Sequence, residues 1–166
     1  GQLCTVRCYP WTNGKMALIG DAAHAVVPFY GQGMNCSFED CVVFDDMLEK
    51  YYPNWESIFS EYQKSRKPNA DAIANLALQN FVEMRDLVGD KDFLHYKHVE
   101  HDLTELYPGI FRSQYELTTF TNEPYKYALE QGARNSEMVK KIIRLGLEDK
   151  LNDKAVIQPL FDEFLQ

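Results

Sequence analysis

The sequence predicts an α/β protein in which a short β segment leads into a mostly helical remainder. Three observations carry this expectation. Residues 3–9, LCTVRCY, alternate apolar with polar side chains and include β-branched residues, the period-two pattern of a strand. Asn13-Gly14 follows, a strong hairpin signal because both residues tolerate positive φ. From Met34 onward apolar residues recur at helical spacing. Two strands without a crossover do not complete a sheet, so the missing strands are expected from elsewhere, most simply from an N-terminal part. The chain begins at Gly1 rather than at methionine, and Gln2 to Tyr9 already reads as a strand. A fragment of a longer protein, or one product of a cleaved chain, is the expectation.

The elements follow in order. Lys15 to Gly20, KMALIG, is the return strand, and its nearly continuous apolar run at Met16–Ile19 predicts burial on both faces of a covered sheet. A glycine-rich turn comes next. Met34, Phe38, Cys41, Val42 and Leu48 then mark the apolar side of a helix of about four turns, with Glu39, Asp40, Asp46 and Glu49 on the polar side. Asn54 caps a second helix through Trp55, Ile58, Phe59 and Tyr62, which Pro68 is expected to stop. Asn69 then starts a third, with Ile73, Leu76, Ala77, Phe81, Met84 and Val88 facing inward and Gly89 ending it. A helix is predicted from Asp90 to about Leu106, closed by Pro108-Gly109. Residues 114–121, QYELTTFT, read as extended. Beyond them the pattern is helical, with breaks expected near Gly132, Gly146 and Pro159.

Composition bounds the function. The 166 residues are 45% hydrophobic, enough apolar mass for a core, and the net charge of −8 gives no general electrostatic reason to bind nucleic acid. Lys140, Lys141 and Arg144 form a cationic cluster at helical spacing and read as a solvated face. Cys4, Cys8, Cys36 and Cys41 have no disulfide-framework spacing, which suggests reduced thiols in an intracellular compartment. Neither a signal peptide nor an apolar run near the ~20 residues of a membrane span is present.

The chemistry concentrates in GDAAHAVVPFYGQGMN, residues 20–35. Asp21, directly after an apolar strand, can accept hydrogen bonds from two hydroxyls of a sugar or sugar alcohol. It can equally cap the turn with its own side chain, the commoner use of aspartate there. Gly31-Gln32-Gly33 precedes a helix start, where backbone can approach a ligand closely and free N–H groups favour negative charge. Cys36 stands where GxGxxG requires its third glycine, so the stretch is not a pyrophosphate fingerprint. It suits another anionic centre, such as the N1–C2=O edge of a reduced flavin, with Pro28 and Phe29 as an apolar wall. His24 reads as a packed, hydrogen-bonded histidine rather than a base. His95, His98 and His101 step by three along a helix and read as a solvated polar face rather than a metal site. No catalytic side-chain constellation stands out.

The order of strand, GDAAH, proline, aromatic, GQGMN and a helix bearing Glu39-Asp40 resembles the second FAD-binding motif of the single-component aromatic-ring hydroxylases, a family of FAD-dependent monooxygenases. PFYGQGMN followed by FEDC narrows the resemblance to members that hydroxylate L-kynurenine. NFVEMRD at 80–86, and its spacing to Tyr115, resemble the C-terminal substrate segment of the same enzymes. The resemblance covers roughly residues 15–120.

It implies a Rossmann-like FAD-binding fold, here only its C-terminal part. It also implies that Asp21 binds the ribityl hydroxyls and that Gly33, Met34 and Asn35 present backbone to the pyrimidine edge. Pro28, Phe29 and Gln32 would line the space between flavin and substrate, and Asn80 and Tyr115 would hold the amino-acid part of L-kynurenine. The implied activity is NADPH-dependent conversion of L-kynurenine to 3-hydroxykynurenine through a flavin C4a-hydroperoxide, in the kynurenine route to pyridine nucleotides. The implied location is the mitochondrial outer membrane facing the cytosol, through an anchor this segment lacks.

Cys36 and Ser37 depart from the family's usual small residues, and the first GxGxxG is missing, so the chain alone is not expected to hold FAD tightly. The expected division is 1–67, the end of the FAD-binding domain; 68–130, a substrate-contacting region; and 131–166, a C-terminal helical region. Two rivals to this function are a non-catalytic helical interaction module and a related FAD hydroxylase with another aromatic substrate.

Overall fold

The computed structural model describes residues 2–165. Its chain separates into two compact units, residues 1–81 and 82–166. The first holds a hairpin and three helices. Strands β1 (Thr12–Asn13) and β2 (Met16–Ala17) pair antiparallel, Thr12 opposite Ala17, across a turn in which Gly14 takes φ 58°. The Asn-Gly signal is thus realised as a hairpin, though a short one. Residues 3–9 form no strand; they are held by a ladder-like bond from Val6 N–H to the Ala25 carbonyl at 2.7 Å and by side-chain bonds from Arg7 to Asn75 and from Cys8 to the Ala23 carbonyl. The expected burial of Met16–Ile19 is also corrected, for Met16, Leu18 and Ile19 are all exposed. An apolar run is buried only when other elements cover it, and β1 is its single sheet partner among the described residues.

Helix α1 (Asp21–His24) is one turn; α2 (Gly33–Tyr51) and α3 (Trp55–Val82) are long. Asn54 caps α3 through Oδ1, which accepts from Ser57 N–H at 3.1 Å. Pro68 does not stop this helix but lies inside it, and Asn69, rather than starting a third helix, bonds back to the Ser65 carbonyl at 3.3 Å. Proline removes one ladder hydrogen bond, and packing on both sides compensates: Ile58 and Tyr62 before it and Ile73, Leu76 and Ala77 after it are fully buried. The core of the unit gathers Trp11, Ala23, Tyr62 and Ala70, with Val43, Phe44 and Met47 of α2 against it. The face of α2 is therefore not the predicted one. Met34, Phe38, Cys41 and Val42 are exposed, whereas Cys36 and Asp40 are buried.

The second unit begins at the end of α3, which passes into a π-helical turn at Glu83–Leu87. Met84 and Val88, expected inside, are exposed. Helix α4 (Lys91–Leu106) starts as predicted, with the Asp90 carboxylate accepting from Phe93 N–H at 2.8 Å. Residues 114–121 are not extended: α5 (Gln114–Thr119) is helical, its Ser113 Oγ accepting from Glu116 N–H at 3.1 Å. Ser113-Gln-Tyr-Glu116 is a capping-box sequence, and that local bond outweighs the strand preference of the threonines behind it.

Helix α6 (Tyr125–Leu145) runs straight through Gly132, where a Cβ would collide with the Gln114 side chain; the glycine permits close approach of α5 rather than a break. Gly146 does end α6, left-handed at φ 62°. Pro159 lies within α7 (Lys154–Phe164), not at its end. The core here is a large apolar cluster, built from Leu103, Phe111, Met138, Ile142, Ile157 and Phe161 among others, and the buried amides of Gln131 and Asn135 bond to each other at 2.9 Å. No helix among the described residues is long and apolar enough to cross a membrane.

Candidate functional site

The stretch 20–35 folds as two turns joined by an apolar strap. Gly20 takes φ 60°, and a Cβ there would meet Ser37 Oγ at 3.2 Å, so both conformation and proximity call for glycine. Its carbonyl accepts from Ala23 and His24 N–H, at 2.8 and 3.1 Å, closing α1. Asp21 sits in the first turn of α1, exposed, and its carboxylate makes no hydrogen bond within the described residues. The turn-cap alternative for Asp21 is not what the structure contains; its oxygens remain open as acceptors.

Pro28 to Gly31 form the second turn, with Gly31 N–H on the Pro28 carbonyl at 3.2 Å and φ 70° at the glycine. Gln32, nearly buried, takes the N-cap position of α2 without a side-chain cap, and its Oε1 accepts from Asn35 Nδ2 at 2.7 Å. The backbone N–H groups of Gly33, Met34 and Asn35 thus lie in an uncapped first helical turn, the arrangement that favours an electron-rich group. An open carboxylate at one turn and an uncapped helix start at the other are a donor and acceptor set that fits a flavin carrying both hydroxyls and an anionic ring edge.

Of the predicted substrate contacts, two meet directly. Asn80 Nδ2 donates to the Phe29 carbonyl at 2.6 Å, and the Phe29 and Phe81 rings lie 4.5 Å apart. The end of α3 is thereby joined to the proline-aromatic turn, leaving the Asn80 Oδ1 as an acceptor. Tyr115 belongs to the second unit, where it sits exposed in the first turn of α5, edge-on to Phe120 with centroids 5.9 Å apart. It is a helical residue and not a core aromatic in a strand.

Beneath the turn lies a charged cluster that periodicity did not reveal. Asp40, assigned to the polar side of α2, is fully buried. Its Oδ1 accepts from Arg66 Nε at 2.7 Å; its Oδ2 accepts from Gly20 N–H at 2.9 Å and meets His24 Nε2 at 2.5 Å. Arg66 extends further, to the Cys36 carbonyl at 3.0 Å and to Glu39 at 2.9 Å. Burial disfavours the imidazolium of His24, but its hydrogen bonds to Asp40 and Cys36 prevail, and its pKa is pushed up to about 9. Burial likewise opposes the Asp40 carboxylate, yet His24 and Arg66 hold it below its ordinary value. His24 is therefore the packed, bonded histidine expected. The missed signal was the pairing of Asp40 in one helix with an arginine one helix later.

His24, Cys36 and Asp40 bring three metal-ligand atoms within 4.8 Å of one another. Arg66 already supplies the cation: its Nη2 lies 3.4 Å from Cys36 Sγ, and every close lone pair of Asp40 has a donor. The cluster is an ion-pair network rather than a metal centre. His95, His98 and His101 are exposed, with His95 reaching Glu148 at 3.2 Å. Lys140 and Lys141 pair with Glu137 and Glu163.

A hairpin, a carboxylate-bearing turn and an uncapped helix start fit a portion of an FAD-binding fold, and the comparisons point to the same class. Residues 3–77 match the family model described as FAD binding domain. The chain is 49% identical over 143 residues to a kynurenine 3-monooxygenase of Myxococcus xanthus, covering 86% of this chain and 31% of that protein. It is 42% identical over 165 residues to one from Flavobacterium johnsoniae, covering 99% and 37%, and 43% identical over 156 residues to one from Dictyostelium discoideum, covering 86% and 34%. The chain is similar to kynurenine 3-monooxygenases over most of its length, and it spans about a third of the length of the curated relatives it matches.

Proposed function

We propose that this chain is part of an NADPH- and FAD-dependent monooxygenase that hydroxylates L-kynurenine to 3-hydroxykynurenine. The observation that carries the reading is similarity to kynurenine 3-monooxygenases over 86–99% of the chain, centred on a turn whose acceptor and donors fit a flavin. Reduced by NADPH, bound FAD would supply the oxygen-activating chemistry; the chain supplies position and shelter from water. Asp21 would accept from the ribityl hydroxyls. The first N–H groups of α2, at Gly33, Met34 and Asn35, would face the pyrimidine edge and stabilise negative charge there. Pro28, Phe29 and Gln32 would form the wall between flavin and substrate. Asn80, its amide nitrogen held by the Phe29 carbonyl, would offer Oδ1 to the substrate ammonium, and Tyr115 would donate its hydroxyl to the carboxylate.

The reading treats residues 1–67 as the end of the FAD-binding domain, 68–130 as substrate-contacting and 131–166 as a C-terminal helical region. The remainder of a Rossmann-like fold, including the pyrophosphate site, would come from an N-terminal part of the same protein, and any attachment to the mitochondrial outer membrane from an anchor outside this segment.

The test uses the full-length enzyme. Asp21→Ala is expected to lose bound FAD, seen in the flavin absorbance of the purified protein. Tyr115→Phe is expected to keep the flavin and raise the kynurenine KM in NADPH oxidation assays about tenfold, as loss of a hydrogen bond to a charged group does. Full flavin content in Asp21→Ala would overturn the cofactor assignment. A substrate screen in which another aromatic acid outperforms kynurenine would favour a related hydroxylase.

A further inference from the structure

We propose that Arg66, Asp40 and His24 are positioning residues for the flavin-binding turn, a buried clamp that sets where Asp21 stands relative to the first turn of α2. The inference rests on the flavin reading above and names residues that reading leaves without a role.

The clamp is built from both ends of one turn. Gly20 directly precedes Asp21, and His24 closes the same helical turn. A single carboxylate oxygen, Asp40 Oδ2, holds the N–H of the first and the imidazole of the last. Asp40 itself rides on α2, seven residues after Gly33. The segment bearing the candidate hydroxyl acceptor is thus tied to the helix bearing the candidate anion-facing N–H groups. Arg66, from α3, holds the other oxygen of Asp40 and the Cys36 carbonyl at once, fixing the carboxylate in one orientation. Ser37 stands 3.2 Å from where a Gly20 Cβ would lie, so the turn is seated on α2 without slack.

Energetics make a purely stabilising role a poor account of this arrangement. Removing charges from water is costly, and apolar side chains of the same volume often stabilise as well or better. What an apolar trio lacks is direction. Four hydrogen bonds between 2.5 and 3.0 Å determine distance and angle together, and ligand sites lose affinity when their supporting shell leaves them even 1 Å loose. Arg66, Asp40 and His24 are each buried, so none can touch substrate or cofactor in this geometry. They act through the backbone they hold.

The experiment compares full-length variants by three readouts: thermal denaturation of the apoprotein, FAD dissociation constant from flavin fluorescence on reconstitution, and kynurenine KM at saturating FAD. His24→Ala leaves Asp40 paired with Arg66 and is expected to fold. It should weaken FAD binding about tenfold while KM stays within about twofold. His24→Gln returns a side-chain N–H donor and should recover most of the affinity. Arg66→Lys keeps the charge but loses the two-point grip, and should resemble His24→Ala. Ile58→Val, a core change in the same unit, is the control for stability alone, with temperature adjusted to match the unfolded fractions.

FAD affinity that falls equally in Ile58→Val at matched stability overturns the clamp, as does wild-type affinity in both His24→Ala and Arg66→Lys. If His24→Ala fails to fold, Arg66→Lys is judged by the same criteria, and failure of both to fold makes the cluster structural and overturns the proposal. Loss of FAD in Asp21→Ala alongside normal binding in the clamp variants rejects the clamp only. Normal binding in Asp21→Ala rejects the flavin reading itself.

Discussion

The two units bury their helices by different means. In residues 82–166 the main core is a cluster of aliphatic and aromatic side chains, with Tyr107, its hydroxyl on the Leu151 carbonyl at 2.6 Å, edge-on to Phe161 inside it. The fully buried polar side chain near it, Asn135, is a neutral amide that accepts from Gln131 at 2.9 Å. In residues 1–81 a comparable apolar cluster around Trp11 and Tyr62 has a carboxylate, a guanidinium and an imidazole set beside it. Apolar packing is tolerant: shape can be met by several arrangements. A buried charged network is not, because each lost partner leaves an uncompensated charge. The contrast teaches that the first unit trades tolerance for a defined geometry where the proposed flavin contacts lie.

The comparison breaks most sharply when one member of each core is removed. Asp40→Ala should cost about 3–5 kcal/mol, since His24 and Arg66 lose their shared counter-charge. Leu103→Ala in the other unit should cost about 2–5 kcal/mol through lost burial and a cavity. Urea denaturation checks both. The two tryptophans, Trp11 and Trp55, lie in the first unit, so indole fluorescence follows it, while circular dichroism follows all the helices. An Asp40→Ala midpoint equal to wild type would mean that the charged network contributes nothing the apolar cluster cannot supply.

Titration sharpens the same contrast with a smaller effect. The pKa of His24 rises on folding from an ordinary 6.5 to about 9, as burial is outweighed by its Asp40 and Cys36 hydrogen bonds. Its stabilising contribution is therefore complete below pH 6.5 and is lost as pH climbs through about 9. The fluorescence-detected midpoint should fall across that window and become flatter in His24→Gln. A profile unchanged by the substitution would remove His24 as its source.

The smallest effect belongs to the second unit. Ser113→Ala should cost about 1 kcal/mol by removing the cap of α5, measured by circular dichroism on heating, with α6 unaffected by the loss. A cost near zero would mean that α5 is held by its packing on α6 alone.

Much of this was legible locally. Asn13-Gly14 marks the hairpin, Asp90 marks the start of α4 and Gly146 its counterpart at the end of α6, because turns and caps are made by a residue's own neighbours. Periodicity located the helices well but misjudged their faces. It counted Asp40 as solvated and Met34, Phe38 and Val42 as buried, and the reverse holds. It also broke the chain at Pro68, Gly132 and Pro159, all of which lie inside helices. Hydropathy describes a side chain in isolation, whereas the burial of a charge depends on partners far away in sequence.

By itself, then, the sequence determined the glycine turns, the caps, the helix count in outline and the motif that marks the family, all of them properties of residues within a few positions of one another. Only tertiary structure decided that Asp40 faces inward, that Arg66, twenty-six residues on, neutralises it, and that Asn80 reaches the carbonyl of Phe29 across fifty-one residues. Those contacts exist because helices packed at long range bring together groups whose charge or hydrogen bond is strong only once water is excluded.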